Sequence, residues 1–420
     1  MVNINYFIMK ANLYKNILLG FILVPLLATI NPKPSIAKAE TSISPSWTVS
    51  GGMNGSLGGI RASSIIGDDL ILVGRFNHVG PSRRGGQLGF SRNAFLILDK
   101  NTGSPSMHDF DPQVNGSIEA IDCDGGTCVV AGGFNRFNGI PVNQIAKFNA
   151  LTGKVDENFR PWLIYQGSYS TLLFRNGIVY AGGDFTSFQN ASGQIINRAY
   201  LAAFGSAGQL TNWNPGANGP TYKLRMSPDS TIFAAGAFTA IGGSNRQGFA
   251  EINSVGAVTK FNPAPPVSVA GVVGRDIGFY NKNIILAGHF LIMAGNTHNG
   301  LAMVTPDGND TSWNAQTNFN ETVRALAINK NSLFISFDTY SIGGQPRKKL
   351  AELSLLTGQV APFRADVEVE APYSDDIVGI RDIQVVSDRA SRTRQIYVVG
   401  LYTGIAGAAQ PNAAYLTSSD

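Results

Sequence analysis

Histidine and cysteine are scarce in this chain, with four His and two Cys in 420 residues. None of His78, His108, His289 and His298 stands in an HExxH or HxH spacing, and no serine occupies a Gly-x-Ser-x-Gly elbow. The signatures of zinc hydrolases and of nucleophile-elbow enzymes are therefore missing. A lone histidine without an orienting partner is no catalytic signature, so all four read as packing or solvated groups. Charge is also thin, at 14% of residues. Of the 32 Lys and Arg, four lie before residue 40, where no acid occurs, so the remainder carries 28 basic and 28 acidic residues. A partner chosen by bulk charge, nucleic acid or an anionic membrane, finds no support in that balance. The acidic stretches Asp122-Cys123-Asp124 and Asp366–Glu370 lack the alternating oxygen ligands of a calcium loop. No metal site and no cofactor motif emerges. Beyond the first forty residues no apolar run is long enough to span a bilayer, and no helical period occurs.

The first 39 residues read as a secretory leader. Lys10 and Lys15 form a charged region, Ile17–Ile30 an apolar core, and Ala37-Lys38-Ala39 a small-residue cleavage site. Met9-Lys10 offers a second possible start. An uncleaved anchor is the rival reading, but the core is short of the ~20 apolar residues a spanning helix needs and contains Pro25. The expected location is secreted, periplasmic or cell envelope, and the expected organisation is a leader, 1–39, followed by one domain, 40–420.

That domain is built from a repeated phrase: an apolar run, a small residue, a variable residue and an aromatic. The copies end in Gly74-Arg75-Phe76, Gly132-Gly133-Phe134, Gly183-Asp184-Phe185, Gly236-Ala237-Phe238, Gly288-His289-Phe290 and Gly400-Leu401-Tyr402, with a worn copy at Phe337-Asp338-Thr339. The spacing is near fifty residues, which signals stacked supersecondary units. A second phrase follows each first one: Phe110-Asp111-Pro112, Phe159-Arg160-Pro161, Trp213-Asn214-Pro215, Phe261-Asn262-Pro263, Trp313-Asn314-Ala315 and Phe363-Arg364-Ala365. Short β-prone runs bounded by Gly, Asn, Asp and Pro predict four antiparallel strands per unit, and Asn176-Gly177 is a two-residue hairpin signal. The expected fold class is all-β: a seven-bladed β-propeller of four-stranded blades. The last unit lacks the second phrase, and Ser46-Trp47-Thr48-Val49 resembles it. The N-terminal strand is therefore expected to complete the seventh blade and close the ring, removing a free edge. The worn sixth copy is expected to distort its blade.

The double glycine after an apolar strand resembles the kelch repeat. The closer resemblance is to bacterial delta-60 repeat propellers and to the propeller of fungal cortical polarity markers. It rests on Ala131-Gly132-Gly133-Phe134, Asn143–Phe148 and Thr152-Gly153, and extends over residues 44–420. It implies binding by the repeat surface and no defined reaction.

Three groups of residues stand out within this frame. Cys123 and Cys128 flank a hairpin turn, and an even cysteine count in an exported chain points to a disulfide, with free thiols or a metal pair as alternatives. Thirteen residues before the repeat glycine, on the strand that lines the channel of a propeller, stand Arg61, Glu119, Ser170, Lys223, Arg275 and Arg324; Arg381 holds the comparable place in the seventh unit. Alternate residues of such a strand face the channel. The bland reading is a wet wall tolerant of any polar residue, and the functional one is an anion-binding collar. The variable slot of the phrase, with Arg75, Asp184, His289 and Asp338, either converges on one face or varies at random. The b–c loops Asn190–Asn197 and Gly242–Gln247, with Trp162 and Tyr165, form a candidate glycan surface. The basic stretch Asp388–Arg394 and the connection Asp366–Asp376 read as solvated.

The functional expectation is an exported binding or scaffold module for a protein, a glycan or a small anionic ligand, without catalysis of its own. The alternative is a carbohydrate-binding or carbohydrate-active propeller, a hydrolase or lyase acting at the channel mouth. Intact-mass analysis of the exported protein should give Glu40 as its first residue; retention of Met1 or Met9 would overturn the cleaved leader.

Overall fold

The polar turns and short β-prone runs fold as the repeat spacing predicts. The computed structural model describes residues 47–50, 58–81, 89–264, 271–317, 322–369, 379–388, 393–408 and 412–419, and the expected leader lies outside them. Among the described residues every regular element is a strand. Seven sheets follow one order, in which an inner strand pairs with a central strand and that with a third. The inner strands are Gly59–Ile66, Ser117–Asp124, Tyr169–Arg175, Thr221–Met226, Val273–Tyr280, Val323–Asn329 and Gly379–Asp388, and they number the sheets one to seven. The first turn of the third sheet, Asn176-Gly177, has φ of +52° and +77°, the left-handed pair that a tight hairpin needs.

The inner strands pack one on the next in order, and the seventh packs on the first. Apolar cores fill the gaps between neighbouring sheets. Phe95, Phe134, Phe137 and Phe148 interlock between the first and second, whereas Ile60, Leu72 and Leu98 meet Tyr397 and Val399 between the first and seventh. The sixth sheet keeps the common register despite Phe337 in the glycine slot, since Phe337 pairs with Val323 as Gly74 pairs with Ile60.

Two expectations are corrected. Trp47–Ser50 does not pair with the seventh sheet. It pairs antiparallel with His78–Pro81, which in turn pairs with Phe90–Ser91. The edge of His78–Pro81 belongs to the first unit, which the chain enters at Gly59, so it lies close along the sequence. The fourth strand is the other correction. Among the described residues only the fifth sheet has one, Asp310–Asn314; in sheets one, two, three, four and six the outer segment makes a single bridge, as in Phe148↔Val155, Ile252↔Val258 and Leu353↔Val360. Backbone hydrogen bonds flank these bridges, as in Asp156 N to Lys147 O at 2.7 Å and Thr259 N to Glu251 O at 2.9 Å, and aromatic side chains of the outer segments reach the next sheet. Trp213 and Trp313 are buried and donate their indole N–H to Asn253 O and Ser354 O of the next sheet, at 3.2 and 3.4 Å. The glycine of the Thr-Gly turn admits the preceding segment: at Gly358, φ +75°, a Cβ would stand 2.0 Å from Asn314 O.

An inner strand leaves one edge without a strand partner, and the exposed N–H groups need acceptors. The preceding sheet supplies them. Thr171 Oγ1 accepts from Leu224 N at 3.2 Å, Asp276 Oδ2 from Leu326 N at 3.1 Å, and Asp382 Oδ2 from Ser63 N at 3.1 Å and Ser63 Oγ at 2.7 Å. Asp122 Oδ2 does the same for Phe174 N at 2.7 Å. The contact from Asp382 to Ser63 ties the last sheet to the first with the same device that ties the others.

The Cys123 and Cys128 sulfurs are 2.07 Å apart, a disulfide across the hairpin of the second sheet. Replacing both by Ser should lower stability in urea titration by about 2 kcal/mol or less, because a short closed loop gains least; a larger loss would show the bridge to be structurally essential. Asp276→Ala should cost more, about 3–5 kcal/mol, since it leaves Arg225 and two backbone N–H groups without their carboxylate. A loss under 1 kcal/mol in the same titration would deny the contact its structural role.

Candidate functional site

Each inner strand carries one irregularity at the same place. The register slips by one residue at Arg61, Glu119, Ser170, Tyr222, Arg275, Arg324 and Arg381. These are β-bulges, which insert an unpaired residue and re-aim its side chain. The repeat glycine makes room for them. A Cβ on Gly74 would stand 2.2 Å from Gly59 O, and one on Gly288 2.1 Å from Val273 O. The glycine thus accommodates the bulge where it is present, the sixth sheet bulging at Arg324 with Phe337 in that slot, and all seven bulged residues line one central cavity of about 1020 Å³.

Five of the six expected collar residues, Arg61, Glu119, Arg275, Arg324 and Arg381, occupy this level. Lys223 does not. The first hairpin of the fourth sheet has a three-residue turn, Pro228-Asp229-Ser230, closed by Ser227 N to Thr231 O at 2.8 Å. Sheets one, two, three, five and six have two-residue turns here, so counting from the glycine lands one residue late and the bulge falls on Tyr222. Lys223 lies a level deeper, 3.8 Å from Asp382 Oδ1. The longer turn was the sequence signal that would have found Tyr222.

The level is asymmetric. Sheets five, six, seven and one are consecutive in the packing order and each contributes an arginine. Sheets two, three and four contribute Glu119, Ser170 and Tyr222. Burial and then Arg61, Arg324 and Arg275 pull Arg381 down to about 10, against the opposing charge of Asp338. Burial lowers Arg61 too, Glu119 opposing. Two residues of the variable slot hold the arginines in place: Asp338 takes a two-pronged contact from Arg324, through Nε and, at 2.8 Å, Nη2, and Arg75 Nε donates to Glu119 Oε1 at 2.7 Å. Arg61 stands 3.6 Å from the other oxygen of Glu119. The Arg275 guanidinium lies over the Tyr222 ring, 4.6 Å from its centroid, a stacking that engages its face rather than its N–H edge.

Beneath the arginines lies a compensated layer. Arg225 donates to both oxygens of Asp276 at 3.2 and 3.3 Å. Burial opposes both charges, yet Arg225 and Lys223 hold Asp276 below the ordinary carboxylate range, and Asp276 with Asp382 raises Arg225. Arg175 Nη1 donates to Asp122 at 2.7 Å. These carboxylates are committed to backbone N–H groups and cations.

Residues away from the cavity are placed as follows. Asn190–Asn197 forms a hairpin, Ser187–Gln189 with Ile195–Asn197, to which Leu163–Gln166 adds a third strand. Tyr165 is 53% exposed there, while Trp162 packs partly against the core. His108 Nδ1 is 2.8 Å from Asp69 Oδ2, and buried His298 places Nε2 3.0 Å from Asp310 Oδ1. Arg394 is not solvated as expected: it is buried and donates to Glu352 Oε1 at 2.6 Å. Residues 389–392 and 370–378 lie outside the described residues. Among the described residues no group of three or more His, Cys, Asp or Glu could hold a metal ion, and no helix is long and apolar enough to cross a membrane.

The profile of the family described as "Domain of unknown function (DUF5122) beta-propeller" matches residues 126–159 and 227–258. Both stretches run from the first hairpin turn of a sheet, the second and the fourth, toward its outer aromatic segment. No curated protein matches the chain. Among solved structures it is similar to the WD40 β-propeller domain of Doa1, at 11% identity over 89% of this chain and 97% of that one, TM-score 0.49. It is also similar to the computationally designed Ika8 protein, at 13% identity over 87% and 98%, TM-score 0.47. Sqt1 of Saccharomyces cerevisiae aligns at 10% identity over 86% and 84%, TM-score 0.46.

Proposed function

We propose that the chain is an exported, closed seven-bladed β-propeller that serves as a binding or scaffold module, with an anion-binding site at the arginine level of its central cavity. The observation that carries the ligand class is the gathering of Arg61, Arg275, Arg324 and Arg381 on bulges at one height of a cavity of about 1020 Å³. Arginine forks suit carboxylate, phosphate and sulfate oxygens, and a bound anion relieves the mutual repulsion that Arg381 registers. Closure of the ring is supported by the core shared between Ile60 and Val399 and by the bond from Ser63 to Asp382. Export rests on the leader-like first 39 residues.

A carbohydrate-active enzyme at the same place would need a free acid and base. Glu119, Asp122, Asp276 and Asp382 are carboxylates that line the cavity, and each is engaged: Glu119 by Arg75 and Ser117, Asp122 by Arg175 and the Phe174 N–H, and Asp276 and Asp382 by backbone N–H groups and by Arg225 or Lys223. That commitment favours binding over catalysis.

Thermal unfolding of the exported protein tests the reading. Citrate, phosphate or sulfate should raise the melting temperature beyond chloride of matched ionic strength, since a ligand at a hundred times its Kd adds about 2.7 kcal/mol. Arg381→Gln should erase the increment and raise the melting temperature of the anion-free protein. Equal melting in all four salts would overturn the anion site.

A further inference from the structure

The asymmetry of the bulged level defines more than a charge. A symmetric anion would be served by a ring of arginines, but here they occupy only sheets five, six, seven and one. The facing wall offers Glu119 from sheet two, Ser170 from sheet three and Tyr222 from sheet four, all lining the same cavity. A carboxylate and two hydroxyls are groups that accept from and donate to hydroxyls, not groups that bind an anion. Two further residues of that wall carry polar atoms without a hydrogen bond inside the protein. Gln144 Oε1 is buried and lines the cavity, and Tyr169, 2% exposed, also lines it and has no partner for its hydroxyl. Buried polar atoms are rarely left so, and each calls for an explanation. The cavity, about 1020 Å³, sits at the upper end of the range of about 300–1,000 Å³ for small organic ligands, and exceeds what one inorganic ion fills.

We infer that the ligand of this site is a sugar acid: its carboxylate rests on the arginine arc of Arg61, Arg275, Arg324 and Arg381, and its hydroxyls on the arc of Glu119, Ser170 and Tyr222. The inference rests on the anion reading and narrows it. Tyr222 links the two arcs, because its ring backs Arg275 at 4.6 Å while its hydroxyl belongs to the polar side. Arg75 and Ser117 both donate to Glu119 Oε1, at 2.7 and 2.8 Å, which orients the carboxylate and leaves Oε2 toward Arg61. A neutral sugar brings the arginines no opposite charge, and a plain carboxylic acid leaves the polar arc without hydroxyl partners. Discrimination against both follows from leaving buried polar groups unpaired.

Isothermal titration of the exported protein with D-glucuronate, D-galacturonate, cyclohexanecarboxylate and D-glucose reads this directly. At least one of the two sugar acids should bind about tenfold or more tighter than cyclohexanecarboxylate, and glucose should not bind measurably. Arg381→Gln should abolish binding of every acid. Ser170→Ala with Tyr222→Phe should lower sugar-acid affinity to about that of cyclohexanecarboxylate for the same variant, removing the preference, with the melting temperature of the ligand-free variant as a check on folding. Equal binding of all three acids, or a preference that survives the double substitution, would overturn the sugar-acid inference while leaving the anion site intact, and binding of glucose as tight as the sugar acids would overturn both. If no acid binds but citrate still raises the melting temperature, the sugar-acid inference likewise falls alone. If citrate also has no effect, both fall.

Discussion

Opposite each repeat glycine the inner strand carries one residue too many, and its carbonyl turns into the space a side chain would take. At Gly132 that oxygen, from Ser117, would lie 2.2 Å from a Cβ, and at Gly400 the Gly379 oxygen would lie 2.1 Å away. Such separations are below any tolerable contact, so at these glycines a side chain would displace the carbonyl, although the sixth sheet keeps its bulge at Arg324 with Phe337 in the slot. The cavity wall depends on the bulge. The bulged residue is the one whose side chain is set at the arginine level, and the residue after it, Thr171, Asp276 or Asp382, is the one that reaches the next sheet. The bulge thus places the candidate binding groups and, in sheets three, five and seven, the fasteners between sheets.

Those fasteners answer a second demand. The inner edge of each sheet turns toward a wet cavity, where an unpaired strand edge would otherwise invite foreign strands. Short polar side chains from the preceding sheet cap part of it. The carboxylates do so at an electrostatic cost, since Asp276 is 1% exposed in its side chain, and Arg225 and Lys223 offset it. The cations beneath the arginine level are therefore part of the framework, and the arginines above, with Glu119 and Asp338, form a separate layer whose charge is less evenly met.

Much of this was legible in the sequence, because both phrases repeat with their spacing intact. The glycine slots, the hairpin at Asn176-Gly177, the disulfide pair and five of the collar residues lie where the periodicity places them. What failed did so for local reasons. One extra turn residue near Asp229 moved the fourth bulge from Lys223 to Tyr222, a shift that counting from a glycine cannot sense. The likeness of Trp47 to the second phrase pointed to the seventh sheet, but a nearer edge at His78–Pro81 took the strand. Arg394 looked solvated among other basic residues, yet Glu352 and the ring of Phe334 bury it. Pairings across distant sequence, such as Ser63 with Asp382, leave no trace in a single chain read alone.

The joints between sheets have a consequence for how such a chain can change over generations. Each sheet takes its inner, central and third strands from contiguous residues, and the joints described above are made by side chains and turns: Thr171, Asp276 and Asp382 reaching backbone N–H groups, Trp213 and Trp313 reaching the next sheet, and Gly358 admitting the preceding segment. None of these joints borrows a strand. A duplicated or deleted stretch of about fifty residues would carry complete joints with it, so the gene can gain or lose a unit without any neighbour being redesigned. What it cannot do freely is keep the same hub. Each unit brings one bulged side chain to the centre, so a change in number would alter the width of the opening and the sequence of charges around it together. In such an architecture the ligand, rather than stability, would fix the count.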